Sequence, residues 1–163
     1  MKCNCSALLL LLFLINLNLG VPRIVSGLCT PYYASIKKGN TGAYRGPGKQ
    51  YKVVCLYTNR GVPVIITAKY DHWRRIKDPD GAECWVHKNY LSPKRSVMVI
   101  EKEGTALFSA PKRDEHPIAH IKKNVIMSLL SVQDEWCKVE VKHNGDVYTG
   151  WIKAKHLFGA INE

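Results

Sequence analysis

The sequence lacks the short catalytic signatures that can be recognised without a structure. It contains no Gly-x-Ser-x-Gly, no glycine-rich phosphate loop and no His-Glu-x-x-His. These patterns mark a nucleophile turn, a nucleotide phosphate cradle and a zinc-binding helix, respectively. Their absence argues against the corresponding hydrolases, and we expect a protein with no enzymatic activity and no cofactor.

The sequence also lacks a hydrophobic run long enough to make a good membrane span. Its apolar stretch, Ala7–Leu19, is interrupted by two asparagines, whereas a spanning helix needs about 20 apolar residues. Lys2 precedes this stretch and small residues follow it, as in a secretory signal. We therefore expect residues 1–27 to be a signal peptide that is cleaved after Gly27, or alternatively after Gly20, and that directs the protein to the periplasm or the exterior.

Two other fates of the N-terminal segment remain open. Cys29 lies just after the expected cleavage site, but Leu28 occupies the position where a lipid-attachment site requires a small residue. The segment could also stay uncleaved as an anchor. Membrane contact is expected only through this segment.

Acidic residues are scarce. The chain has 13 Asp and Glu against 24 Lys and Arg, a formal net charge of +11. A basic field favours anionic surfaces and is strongly screened by salt. Nucleic acid is the other usual partner of such a chain, but an exported protein seldom meets DNA, so we expect no nucleic-acid binding.

The mature region shows no convincing helical period, but it repeats itself at a distance of 63 residues. Several segments of the first half match the second, the last after a three-residue insertion: Ala43 with Ala106, Gly61–Val64 with Asn124–Met127, Asp71–Ile76 with Asp134–Val139, and Trp85–Lys88 with Trp151–Ala154. Self-similarity at a fixed spacing indicates two copies of one structural unit.

The pattern of each copy predicts a set of short strands joined by tight turns. The segment Val62–Ala68 is rich in β-branched residues, which favours a strand. Asp78–Gly81 in the first copy and His143–Asp146 in the second each contain a glycine suited to a hairpin turn. Val97–Ile100, within the candidate linker Ser96–Gly104, is apolar and also favours a strand.

These residues resemble the bacterial SH3-like (SH3b) domains, and most of all their exported tandem form. The likeness rests on four segments: Tyr32–Gly39, Arg45–Gly48, Trp73–Ile76, and Asp80–Gly81 followed by Trp85–His87. Cys84 occupies a position where such domains usually carry glycine. The resemblance implies an all-β fold of two tandem small SH3-like barrels, at 28–100 and 101–163, which we expect to pack together.

The resemblance also implies a function in binding. Such domains often bind peptidoglycan or its peptide stems, and others bind protein partners. We expect a non-enzymatic module for peptidoglycan in the cell envelope, with a protein-interaction adaptor or secreted effector as the alternative.

Alternation along the strands places the tryptophans away from the core. In the second copy, Cys137, Val139 and Val141 share the core face, and Trp136 lies on the opposite face. The same alternation puts Trp73 and Trp85 of the first copy on its outer face. Cations beside Trp73 and tyrosines around the Gly-Pro turn complete the candidate ligand-binding set, which is Tyr44, Arg45, Tyr51, Trp73, Arg75, Lys77, Trp85 and His87.

Two interpretations of these rings remain open. They either close the barrel or fill the interface between the copies, or they form an aromatic shelf for a ligand. A ring at a surface offers a large contact area, and neighbouring arginines suit carboxylates.

The cysteines and histidines give weaker signals. Cys84 and Cys137 are expected to face separate cores, so we expect no bridge between them, whereas a disulfide among Cys29, Cys55 and Cys84 remains open. We expect no metal site, because Cys84 and His87 should lie on opposite faces of one strand. Pro117, between His116 and His120, disfavours a helical pair of ligands.

Overall fold

A computed structural model describes residues 31–112 and 115–160 of the chain. The expected signal peptide and Cys29 lie outside these residues. The described part contains fourteen strands: β1 Tyr32–Ile36, β2 Thr41–Tyr44, β3 Val53–Tyr57, β4 Pro63–Tyr70, β5 Trp73–Lys77, β6 Glu83–His87, β7 Leu91–Ser92, β8 Ser96–Val99, β9 Thr105–Phe108, β10 Pro117–Ile121, β11 Ile126–Gln133, β12 Trp136–His143, β13 Asp146–Lys153 and β14 Leu157–Phe158. Short 3-10 helices at Lys88–Tyr90 and Ala154–His156 precede β7 and β14.

The strands form two seven-stranded antiparallel sheets with the same internal order. The first runs β3-β2-β6-β5-β4-β1-β7 and the second β10-β9-β13-β12-β11-β8-β14. The expected all-β fold with two tandem units is therefore confirmed. No helix within the described ranges has the length and apolar character needed to cross a membrane.

The strands of the two units correspond one to one in order along the chain and in the sheet, with one correction to the sequence match. β4 and β11 begin 63 residues apart, as predicted, but β2 and β9 share one burial pattern at a spacing of 64. Ala43 therefore corresponds to Leu107, and its predicted match with Ala106 is wrong by one residue. The second unit has an extra residue before β9, where Gly104 takes a left-handed turn at φ 81° and Asn40 does so in the first unit.

The division between the sheets falls earlier in the chain than the boundary at 100/101. β8 pairs with β11 and with β14, so it belongs to the second sheet. The reason is burial, because Val97 and Val99 are fully enclosed in the second core. The prediction that this segment is a strand and not a flexible tether is confirmed.

Each unit has its own apolar core. The first contains Ala34, Ile36, Ala43, Tyr57, Val64, Ile66, Ile76, Cys84 and Val86. The second contains Val97, Val99, Leu107, Met127, Cys137, Val139, Val141, Ile152, Ala154, Leu157 and Ala160.

The positions of the two buried cysteines are explained by these two cores. Cys84 and Cys137 face separate cores, as predicted, and burial raises the pKa of both thiols. Cys55, Cys84 and Cys137 are all free thiols. A bridge to Cys29 would involve a residue outside the described part.

The units contact each other through the segment that joins them. Arg95 Nη2 donates hydrogen bonds to the carbonyl oxygens of Gly159 (2.9 Å) and Ala160 (3.2 Å), and its guanidinium lies 5.4 Å from the Tyr33 ring centre. The Tyr33 ring meets Phe158 edge to face at 6.0 Å. These contacts join β1 of the first unit to the end of the second.

Candidate functional site

The outer face of the first unit carries a cluster of aromatic rings centred on Trp73. Tyr44 on β2 meets Trp73 edge to face, with ring centres 5.3 Å apart, and His87 on β6 does the same at 5.4 Å. The side chains come together because β2, β6 and β5 are neighbours in the sheet and each presents its outward residue here. We call Tyr44, His72, Trp73, His87 and Tyr90 the aromatic cluster.

Trp73 lies on the outer face but does not expose its ring, which favours the interpretation that the ring closes the barrel over the one in which it forms an open shelf. Only 9% of Trp73 is accessible, and its counterpart Trp136 is 5% accessible. Alternation correctly directs both rings away from the apolar cores, but rings from adjacent strands then cover them. The covering residues of Trp73 belong to the first unit itself, so the ring does not fill the interface between units. Trp85 and Trp151 are half-buried.

Two members of the cluster were missed by sequence reasoning. Tyr90 lies on the first 3-10 helix, is 41% exposed, and has its ring centre 6.2 Å from that of His87. His72 is also exposed and lies 5.9 Å from His87. Strand alternation could not place either residue, because one lies in a turn and the other in a short helix.

The loop after β2 approaches the same cluster. Gly48 N–H donates to the Gly46 carbonyl at 2.9 Å, and the exposed Tyr51 ring lies where a side chain at Gly46 would clash. Arg45 and Lys49 are exposed on this loop. Neither forms an ion pair with any carboxylate in the described ranges, which leaves both cations available.

The charge of Lys49 on this loop acts on His87. Burial is the main cause that lowers the pKa of His87, and the positive charges of His72, Lys88 and Lys49 lower it further. The ring is therefore biased towards its neutral form. Its Nδ1 accepts a hydrogen bond from the Asn89 backbone N–H at 3.3 Å.

Two of the predicted cations do not serve the cluster: Arg75 is already paired, and Lys77 lies apart from it. Arg75 Nε donates to Glu83 Oε2 at 2.8 Å, and the same carboxylate oxygen also accepts from Nη2. Lys77 lies four residues beyond Trp73 on β5, roughly 13 Å along the strand, beside Tyr33 and Ile65. Of the predicted cations, only Arg45, directly after Tyr44, stays beside the cluster without a carboxylate partner among the described residues. Two cations that were not predicted also lie there: Arg74 Nη1 donates to the Trp73 carbonyl at 2.8 Å, and Lys88 follows His87.

The corresponding face of the second unit is occupied by its own lysines. Phe108 meets Trp136 edge to face at 5.5 Å, as Tyr44 meets Trp73. Lys153 Nζ lies 5.4 Å from the Trp136 ring centre, and Lys138 Nζ lies 5.8 Å from that of Trp151. Intramolecular cation–π contacts therefore take the place of open ring surface in this unit.

Comparison with known proteins decides the family. The family model described as the bacterial SH3 domain matches this chain twice, at residues 37–93 and 101–159. The chain belongs to the bacterial SH3 domain family. The predicted tandem arrangement is thereby confirmed, and bacterial SH3 domains are in general binding modules.

Solved structures with a detectable likeness include two from one organism. NlpC2 from Trichomonas vaginalis is 17% identical over 79% of this chain and 48% of that chain, with a TM-score of 0.33. NlpC1 from Trichomonas vaginalis is 14% identical over 82% of this chain and 48% of that chain, with a TM-score of 0.33. This bacterial SH3 chain spans about half the length of both. No curated protein matches it.

Proposed function

We propose that the protein is an exported, non-enzymatic binding module that recognises the peptide stems of peptidoglycan in the cell envelope. The observation that carries the proposal is the surface around the aromatic cluster, which combines exposed rings with unpaired cations. Family membership supports a binding role, and the signal-like segment at 1–27 supports export.

The chemistry of this surface suits a short peptide that bears a carboxylate. Tyr90 and Tyr51 are each 41% exposed and supply aromatic walls, while the buried Trp73 forms the floor between the covering rings. Arg45 directly follows Tyr44 in the chain and the charge of Lys49 acts on His87, and a guanidinium pairs well with a carboxylate. The predicted residues Tyr44, Arg45, Tyr51, Trp85 and His87 remain our candidate set, to which Tyr90 is added.

Sacculus binding provides the test. Purified peptidoglycan sacculi are sedimented with the wild-type protein and with the variants Tyr90→Ala and Arg45→Gln. We expect each variant to weaken binding about fivefold to tenfold, roughly 1–1.4 kcal/mol. Trp73→Ala is a poor probe, because removing its buried ring would also destabilise the fold.

Matched controls come from the second unit. Tyr148→Ala removes a tyrosine that is 45% exposed, and Lys102→Gln removes an exposed cation. Both should bind sacculi like the wild type. If the wild type is retained no better than a basic control protein, or if all four variants behave alike, the proposal fails.

A second candidate is the protein-interaction adaptor, which would use the sheet edge at β3 in addition to the aromatic face. It is favoured by β3, an outermost strand of the first sheet, on which Val54 is 44% exposed and Leu56 is 56% exposed. An apolar sheet edge suits the addition of a peptide strand. Binding of extended peptides that is lost in Leu56→Lys, together with no binding of sacculi, would favour this candidate.

A further inference from the structure

A second concave surface lies between the two units, away from the aromatic cluster. It is an open cleft of about 660 Å³. The first unit contributes the turn around Arg60 and the end of β1, and the second contributes the start of β11 and the side of β12. The joining segment Ser92–Ser96 lines it as well.

The cleft is strongly basic. Its lining includes five cationic residues against one carboxylate, Glu140; the cations are Lys37, Arg60, Lys94, Arg95 and Lys142. Arg95 is committed to the Gly159 and Ala160 carbonyls. The other four cations form no ion pair with any carboxylate of residues 31–112 and 115–160, so the cleft keeps a net positive charge despite Glu140.

Hydrogen bonds fix the walls of the cleft. Ser35 Oγ donates to the Lys94 carbonyl at 2.8 Å, which ties β1 to the joining segment. Ser96 Oγ donates to the Gly61 carbonyl at 2.6 Å, which ties the turn beside Arg60 to β8. The cations therefore project from a held framework, and binding a ligand requires little reorganisation.

One cation of the cleft, Lys142, depends on a difference between the two repeats. β12 has eight residues and β13 eight, whereas β5 and β6 have five each. Lys142 lies in the added length of β12, opposite Val147 in the hairpin. The longer hairpin of the second unit thus supplies Lys142 to the cleft.

We propose that this cleft is a second binding site, specific for a polyanionic ligand that carries several phosphate or carboxylate groups. Four separate segments supply the unpaired cations, so a ligand with a single charge would engage only part of the set. Concave walls also concentrate the positive field. The site requires neither the aromatic cluster nor the proposed binding of peptide stems.

The test measures binding of two probes that differ in anion chemistry, tripolyphosphate and penta-glutamate, by calorimetry. We expect the variant K37Q/K94Q/K142Q to bind at least tenfold more weakly than the wild type. The charge-matched control K102Q/K112Q/K155Q, whose lysines are exposed outside the cleft, should lose less than threefold. A probe preference shows which anion the cleft takes.

Equal losses of probe affinity in the two triple variants would contradict a specific site. They would show that binding depends only on the net charge of the protein. Thermal unfolding checks that both variants fold, and the single variant Arg60→Gln, at an exposed position, provides a second measurement with an expected threefold loss. Tyr90→Ala should bind both probes normally. A variant that keeps probe binding but loses sacculus binding, as expected for Tyr90→Ala, separates this site from the proposed function. The lysine triple variant is expected to show the reverse.

Discussion

At the scale of single residues, Asp78 stands out as the only buried charged residue in the described ranges. The residue is only 6% exposed, and its Oδ1 accepts backbone N–H bonds from Asp80 (3.1 Å) and Ala82 (2.9 Å). Its Oδ2 accepts from the Tyr57 hydroxyl at 3.1 Å. One side chain therefore closes the β5–β6 turn and also satisfies a buried phenol.

Replacing Asp78 should be costly. We expect Asp78→Ala to lower the free energy of unfolding by about 2–4 kcal/mol, because two turn N–H groups and the Tyr57 hydroxyl lose their acceptor. Asp80→Ala, in the same turn but exposed, should change it by less than about 0.5 kcal/mol. Urea unfolding at neutral pH measures both, and equal effects would contradict the role given to Asp78.

Tyr57 should make the fold sensitive to alkali. Burial is the main cause that raises the pKa of Tyr57 above its usual value of 10, with the contact to Cys84 next. Above about pH 10 the unfolded chain releases this proton and the folded chain keeps it, so stability falls as pH rises.

Urea titrations at pH 8 and pH 11 measure this dependence. Between pH 8 and pH 11, we expect the free energy of unfolding to fall less in Tyr57→Phe than in the wild type. Tyr148→Phe, at an exposed ring, should keep the wild-type loss. An identical loss in Tyr57→Phe would show that the phenol does not contribute.

At the scale of elements, the two units fill equivalent core positions in complementary ways. A side chain on Gly150 of β13 would come within 2.7 Å of both the Leu107 side chain and the Phe108 carbonyl oxygen on β9. The equivalent positions in the first unit carry Cys84 and Ala43, by the spacings that relate β6 to β13 and β2 to β9. A large residue faces glycine in one unit, and a small residue faces cysteine in the other.

This exchange predicts coupling between Leu107 and Gly150. Leu107→Ala should cost about 2–5 kcal/mol, and Gly150→Cys should cost about 1–3 kcal/mol by overpacking. The double variant recreates the pair of the first unit, so it should be more stable than the sum of the single losses implies, by at least about 1 kcal/mol. Chemical unfolding of the three variants tests this, and simple additivity would reject it.

Gly42→Ala serves as the control for glycine replacement. A side chain there would meet Tyr44 only at an ordinary 3.7 Å, and no positive φ is required. We expect no loss of stability in this variant.

At the scale of the whole molecule, a small set of contacts joins the two barrels. Arg95 is central to it, since it holds two carbonyls of the second unit and lies against Tyr33 of the first. Each unit is only about 60 residues, near the lower limit for independent stability. The interface is therefore expected to make unfolding cooperative between units.

Removing Arg95 should uncouple the units. We expect Arg95→Ala to lower the free energy of unfolding by about 2–3 kcal/mol through lost charge-assisted hydrogen bonds, and to split one calorimetric transition into two. Arg60→Ala, an exposed cation of the same cleft, should retain a single transition. A single, unshifted transition in Arg95→Ala would show that the interface does not couple the units.

The sequence determined the repeat, the strands and the face of each side chain along a strand. Period-two alternation correctly placed Cys137, Val139 and Val141 in one core, and the 63-residue repeat predicted two units. These are local properties, set by neighbours along the chain. That is why they could be read before the structure.

Only the tertiary structure decided what covers each ring and where the charges meet. Trp73 is buried because Tyr44 and His87 come from other strands, and Arg75 is neutralised by Glu83 across a hairpin. The cleft cations Lys37 and Lys142 are over a hundred residues apart in the chain. Such groupings depend on which strands pair and how two barrels dock, and long-range packing sets both.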